Sequence, residues 1–143
     1  MALDERLGAG GDFAAAYVVA HEVAHHVQNE LGILGQANRL RAQVSERDSN
    51  MISVQIELQA DCLSGIWACY AQERFDSLES GDIAEAMNAA AQIGDDTLQR
   101  NAGRTVQPHR FTYGTSEQRQ RRFQTGYDTP QITACNTFEA NTL

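Results

Sequence analysis

Two short patterns carry the chemistry of this sequence. The first is His21-Glu22-Val23-Ala24-His25, an HExxH pattern. On a helix, residues four apart lie on one face one turn apart, so both imidazoles can meet one ion, with Glu22 beside it. With 4 His in 143 residues, chance alone gives the pattern in about one such chain in a hundred, so it is suggestive by itself and needs a partner. The second pattern, Glu57-Leu58-Gln59-Ala60-Asp61, supplies one. Two carboxylates at i and i+4 on a helix repel when unpaired, and alone they read as a solvated edge. Beside HExxH they read as the rest of a metal site.

A catalytic zinc takes three protein ligands and keeps an open position, and His, His, Glu is an established set. His21, His25 and Glu57 are assigned as ligands of one Zn2+. Asp61, one turn beyond Glu57, is assigned to accept the free ring N–H of a ligand histidine, fixing its tautomer; the alternative exchanges the roles of Glu57 and Asp61. Such an ion lowers the pKa of its water, and Glu22 is the expected general base. An oxyanion would need a donor. His109 and Tyr113 are the two candidates, each also readable as structural.

Other reactive residues are set aside on geometry. His26 points about 100° around the helix from His25 and reads as a surface histidine. Cys62 and Cys69 lie seven apart on one expected helix, about 10.5 Å along its axis, too far to bridge. Any disulfide therefore uses Cys135. Arg119, Arg121 and Arg122 read as a solvated basic face.

The elements that must position these residues are helices. Only two prolines occur in the chain, and apolar residues recur every three to four positions. A first helix is expected after Gly11, with Asp12 as N-cap, running past His25 to near Gly32 and burying Tyr17, Ala20, Ala24 and Val27. A polar helix is expected over Gln36 to Ser45. A long amphipathic helix follows from about Asp48 to Phe75, burying Ile52, Ile56, Leu63, Trp67 and Tyr70. Further helices are expected over Gly81 to Ile93, Asp95 to Asn101 and Ser116 to Thr125, the last capped by Thr115 or Ser116. Gly103 to Gly114 reads as a loop and the tail from Gly126 as irregular. The expected fold is mainly α, with the HExxH helix packed on the long helix that carries ExxxD, and little or no sheet. Residues 1–143 read as one domain.

Composition bounds the function classes. Apolar content of 42% with 21% charged residues is ordinary for a globular chain. A net charge of -8 and a pI near 4.8 argue against a nucleic-acid partner. The longest apolar run, Phe13 to Ala20, is too short to span a bilayer, so no membrane contact is expected from these residues and the chain reads as soluble.

Several segments together resemble the neutral zinc metallopeptidases of the YpfJ type. They are Gly11-Asp12-Phe13-Ala14, Ala16-Tyr17-Val18, Ala20 to Gln28, Glu57 to Cys62 with Gly65, Trp67 and Ala68, Gly114 to Arg119, and Cys135 to Phe138. The resemblance implies a zinc ion, a His, His, Glu ligand set, a fold similar to the thermolysin-like peptidases and a peptide or protein substrate. It further implies that Cys62 and Cys135 pair. It also implies a bacterial protein anchored in a membrane by an N-terminal segment, with its catalytic domain outside the cytoplasm. Two departures are visible. The family carries a histidine before Gly-Thr-Ser where this chain has Tyr113, and this first helix begins within about a dozen residues of the start, so the chain reads as lacking the family's N-terminal region. The strand edge that holds extended substrate in such peptidases has no evident counterpart.

The leading expectation is hydrolysis of peptide bonds, by an endopeptidase in preference to an exopeptidase. The rivals are a non-catalytic, zinc-binding helical module for assembly or partner binding, and the same zinc chemistry on a substrate other than a peptide.

Overall fold

Alanines and Tyr17 recur at helical spacing from residue 12 onward, and the chain answers with a first helix, α1, over Asp12–Glu30. The computed structural model describes residues 12–75, 85, 86, 88, 89, 98, 100–103, 105, 111–139 and 143, with 12–14, 74 and 75 described as backbone alone. The side chain of Asp12, expected as a cap, lies outside the described residues. Tyr17, Ala20 and Ala24 are buried and Val27 is half-buried, the stripe expected from the sequence. Gly32 ends the helix: its φ of 80° is open to a residue without a Cβ, and its N–H bonds to the Asn29 carbonyl.

The second helix, α2, spans Ile33–Arg41, starting and stopping a few residues earlier than the sequence suggested. The apolar pair Ile33 and Leu34 is what continues the helical spacing, and Ala37 and Leu34 pack with Ile52 and Ile56 of the next helix. That helix, α3, is the longest element, Glu46–Phe75. Ser45 accepts a hydrogen bond from the Asp48 N–H, and Glu46 and Asp48 place negative charge at the positive end of the helix.

The last long helix, α4, covers Ser116–Asp128. Thr115 and Gln118 form a reciprocal capping box, settling the cap on Thr115. Two corrections fall here. The tail from Gly126, expected to be irregular, is regular in part: α4 runs to Asp128, and a 3-10 turn follows over Ile132–Cys135. Its order comes from α3, since Cys135 is disulfide-bonded to Cys62 and the Thr137 hydroxyl donates to the Gln55 carbonyl. The basic face is solvated only at Arg121, which pairs with Glu117. Arg119 and Arg122 are buried, the first against Asp61 and the second donating to the Leu143 carbonyl.

Glycine decides how closely α3 and α4 approach. A Cβ on Gly65 would stand 2.0 Å from the Phe123 carbonyl oxygen, and one on Gly126 1.9 Å from the Cys62 carbonyl oxygen. The backbones therefore touch at this crossing, and Phe123 reaches Tyr17 edge-on across it at 5.7 Å. A further correction concerns α3: Trp67 and Tyr70, expected in the core, are 43% and 49% exposed. The two glycines turn α4 onto another face of α3, leaving Trp67 to line an open apolar groove with Val19, Val23 and Ile132.

No strand occurs among the described residues, and the fold is mainly α with α1 packed on α3, as expected. The expected helices over Gly81 to Ile93 and Asp95 to Asn101 are described at 85, 86, 88, 89, 98, 100 and 101, all helical. No described helix is long and apolar enough to cross a membrane.

Candidate metal centre

The helical spacing of α1 puts the rings of His21 and His25 side by side, with centroids 4.6 Å apart. Glu57 of α3 meets them from the opposite helix. Its Oε2 lies 2.8 Å from His21 Nε2 and 3.2 Å from His25 Nε2, and the two nitrogens are 3.1 Å apart. One ligand atom from each of the three residues lies within 4.8 Å of the others, an arrangement that could hold a metal ion.

Behind each histidine stands a buried partner that fixes its tautomer. His21 Nδ1 is 2.9 Å from Asp61 Oδ1, and Asp61 also accepts from Arg119 Nε at 2.7 Å, from Arg119 Nη2 at 3.1 Å and from the Tyr17 hydroxyl. Asp61 is fully buried and can only accept, so His21 carries its proton on Nδ1. His25 Nδ1 is 2.8 Å from Gln28 Oε1. The Gln28 amide orientation is set by its Nε2, which donates to the Ile56 carbonyl and to Gln59 Oε1. Gln59 in turn donates to the Cys135 carbonyl. His25 is therefore also an Nδ1–H tautomer.

The consequence is a site that demands positive charge. With both protons on Nδ1, two Nε2 lone pairs and a carboxylate oxygen face one point, and three acceptors cannot satisfy one another. A cation fits that donor set. Protons are the alternative, as the titration directions indicate. Burial pushes the His21 pKa down, yet hydrogen bonds to Asp61 and Glu57 outweigh it and raise it to about 9. The hydrogen bond to Glu57 raises that of His25. Burial would raise Glu57, but its two histidine partners bring it down to about 2. Burial likewise opposes ionisation of Asp61, and the Arg119 guanidinium then holds it well below the usual carboxylate range.

A cavity of about 310 Å³ opens over the cluster, at the small end of the range for ligand sites. Glu22 lines it together with His21, His25 and Glu57, and Val18, Leu98 and Tyr113 give it apolar wall. The structure thus gathers Glu22 and Tyr113 at the same opening. His109 lies outside the described residues. His26 is exposed and faces Glu30, away from the cluster. Cys62 and Cys135 form the disulfide that the family resemblance implied. Sequence reading missed the supporting roles of Tyr17, Gln28 and Arg119. Tyr17 and Gln28 could have been found, standing four before His21 and three after His25 on the same helix face. Arg119 could not, because its partner is 58 residues away.

Fold and site together define a helical protein with a His, His, carboxylate cluster suited to a metal ion. The sequence pattern of the family described as "Putative neutral zinc metallopeptidase" matches residues 1–138, and the chain belongs to that family. It is similar to the uncharacterized protein YpfJ of Escherichia coli K12, at 46% identity over 136 residues, covering 95% of this chain and 47% of that protein. It is also similar to the uncharacterized protein Rv2575 of Mycobacterium tuberculosis H37Rv, at 43% identity over 143 residues, covering 94% of this chain and 47% of that one. The chain thus spans about half the length of these relatives. No solved structure matches it.

Proposed function

We propose that this chain is the catalytic domain of a zinc-dependent endopeptidase that holds one Zn2+ through His21, His25 and Glu57. The observation that carries the reading is the convergence of three ligand atoms, with the Nδ1 of each histidine turned to a buried acceptor, under a cavity that Glu22 shares. A bound zinc would supply a Lewis acid at the scissile carbonyl and bring the pKa of water towards neutrality. Glu22 accepts the proton of the attacking water at its carboxylate and passes it to the leaving amine. Asp61 and Gln28 hold the two imidazoles in their ligand tautomers. Tyr113, half-exposed at the rim, donates its phenol to the oxyanion. Substrate is a peptide or protein segment entering from the open side.

The Cys62–Cys135 disulfide supports a place outside the cytoplasm, where such bonds persist. We extend this to a bacterial, membrane-anchored whole protein on the family resemblance.

The test is Glu22→Gln. The variant should keep about one zinc per chain by elemental analysis and lose peptide hydrolysis by about 100-fold or more. Wild-type protein at full zinc occupancy that cleaves nothing in a peptide library would end the peptidase reading and favour a non-catalytic zinc module.

A further inference from the structure

A second cavity, of about 360 Å³, shares His25, Glu57 and Tyr113 with the one that Glu22 lines. Two of the three residues of the candidate metal cluster, His25 and Glu57, thus line both spaces, which adjoin at the cluster. They differ in chemistry. Beside Tyr17, His21, Glu22 and Arg119 the first adds the apolar Val18 and Leu98; beside Leu34 and Ile56 the second adds Arg41, Ser53 and Thr112. Arg41 Nη1 donates to Ser53 Oγ at 2.7 Å and Nη2 donates to Asn38 Oδ1, both neutral acceptors. No carboxylate pairs with Arg41 among the described residues. In a chain of net charge -8, a guanidinium held in place by neutral groups at a cavity wall is a ready carboxylate receptor, presenting further N–H donors in a fixed fork.

Register along α3 places that receptor relative to the chemistry. Ser53 and Glu57 are one turn apart, about 6 Å along the helix axis. An extended peptide advances about 3.3 Å per residue. A peptide whose scissile carbonyl lies over the His21, His25, Glu57 cluster would bring a residue one or two positions away opposite Arg41.

From this we infer that the Arg41 side of the cleft binds a substrate carboxylate one or two residues from the scissile bond, while the Val18 and Leu98 side takes an apolar residue. This rests on the peptidase reading for what it calls the scissile bond, but the carboxylate site itself does not. The carboxylate has two possible sources, an internal Asp or Glu side chain or the free C-terminus of a peptide.

The experiment is a binding series on zinc-loaded Glu22→Gln protein, read by fluorescence anisotropy. Peptides carry a single Glu or Gln scanned along an alanine-rich sequence with one Leu, each with a free or an amidated C-terminus. One Glu position should bind about tenfold tighter than its Gln counterpart. The ratio should fall to near one in Arg41→Gln, recover in part in Arg41→Lys, and shrink in high salt. A gain from the free C-terminus alone supports the site with the terminal carboxylate as its ligand. A ratio near one at every position and both termini overturns the inference, as does a preference that survives Arg41→Gln. Should Arg41→Gln fail to fold by circular dichroism, a preference that is insensitive to salt overturns it equally. Hydrolysis by wild-type protein, measured on the same peptides, separates the two readings. Preference without hydrolysis removes the peptidase and leaves the site; hydrolysis without preference does the reverse.

Discussion

At the scale of single residues, the candidate metal cluster depends on the side chains that stand behind His21 and His25. Asp61 accepts four hydrogen bonds in a fully buried position, and Arg119, itself 2% exposed, supplies two of them. Arg119 cancels the charge of Asp61, so the carboxylate orients His21 without stripping its Nδ1 proton. Asp61→Asn should therefore weaken zinc binding by about 10- to 100-fold, measured by competition with a chelator of known affinity. Arg119→Met strands a buried carboxylate and should lower stability by about 3–5 kcal/mol in urea unfolding. Arg119→Lys restores charge without the fork and should fall between wild type and Arg119→Met in urea unfolding. Zinc affinity unchanged in Asp61→Asn would show that His21 needs no such partner. HExxH and ExxxD were legible because each is local, written in residues one turn apart. Arg119 was not, because three arginines in four residues look the same in sequence whether the helix turns them to water or to an acid on another element.

At the scale of elements, helix existence was legible and helix facing was not. Periodicity identified α1 and α3 and the residues that each buries near the site, because Tyr17, Ala24, Ile52 and Ile56 recur at the right spacing. It misplaced Trp67 and Tyr70, since apolar residues cover more than one face of α3 in its second half and only the partner decides which face is buried. The partner's position depends on Gly65 and Gly126, which the sequence offers only as a residue of the family resemblance and as the start of the tail. An added methyl at either would meet backbone, which cannot rotate aside. Overpacking a core costs about 1–3 kcal/mol where side chains give way. Here Gly126→Ala should reach or exceed the top of that range in thermal or urea unfolding, and should weaken zinc binding by displacing Arg119 from Asp61. A variant as stable as wild type, with unchanged zinc affinity, would mean that the helices can separate without disturbing the site.

At the scale of the whole molecule, the chain's two halves are joined through the groups that support the candidate metal centre. His25 leans on Gln28, Gln28 on Gln59, and Gln59 on the Cys135 carbonyl, while Cys135 is tied covalently to Cys62 across 73 residues of sequence. A cross-link of that span contributes roughly 4 kcal/mol by the chain-entropy account, and native disulfides removed from small domains cost about 2–5 kcal/mol. The replacement of Cys62 and Cys135 together by Ala should show that loss in urea unfolding. It should also weaken zinc binding several-fold, because releasing the turn at Ile132–Cys135 frees the carbonyl that anchors Gln59. Linkage makes the effect reciprocal: zinc should stabilise the cross-linked protein more than the double variant, with a gain at 100 times the Kd of about 2.7 kcal/mol for each. The difference is therefore visible only when both are compared at one fixed zinc concentration, where the weaker binder gains less. Equal zinc-induced stabilisation at that concentration would confine the disulfide to holding the fold, and leave His25 positioned by Gln28 and the Ile56 carbonyl alone.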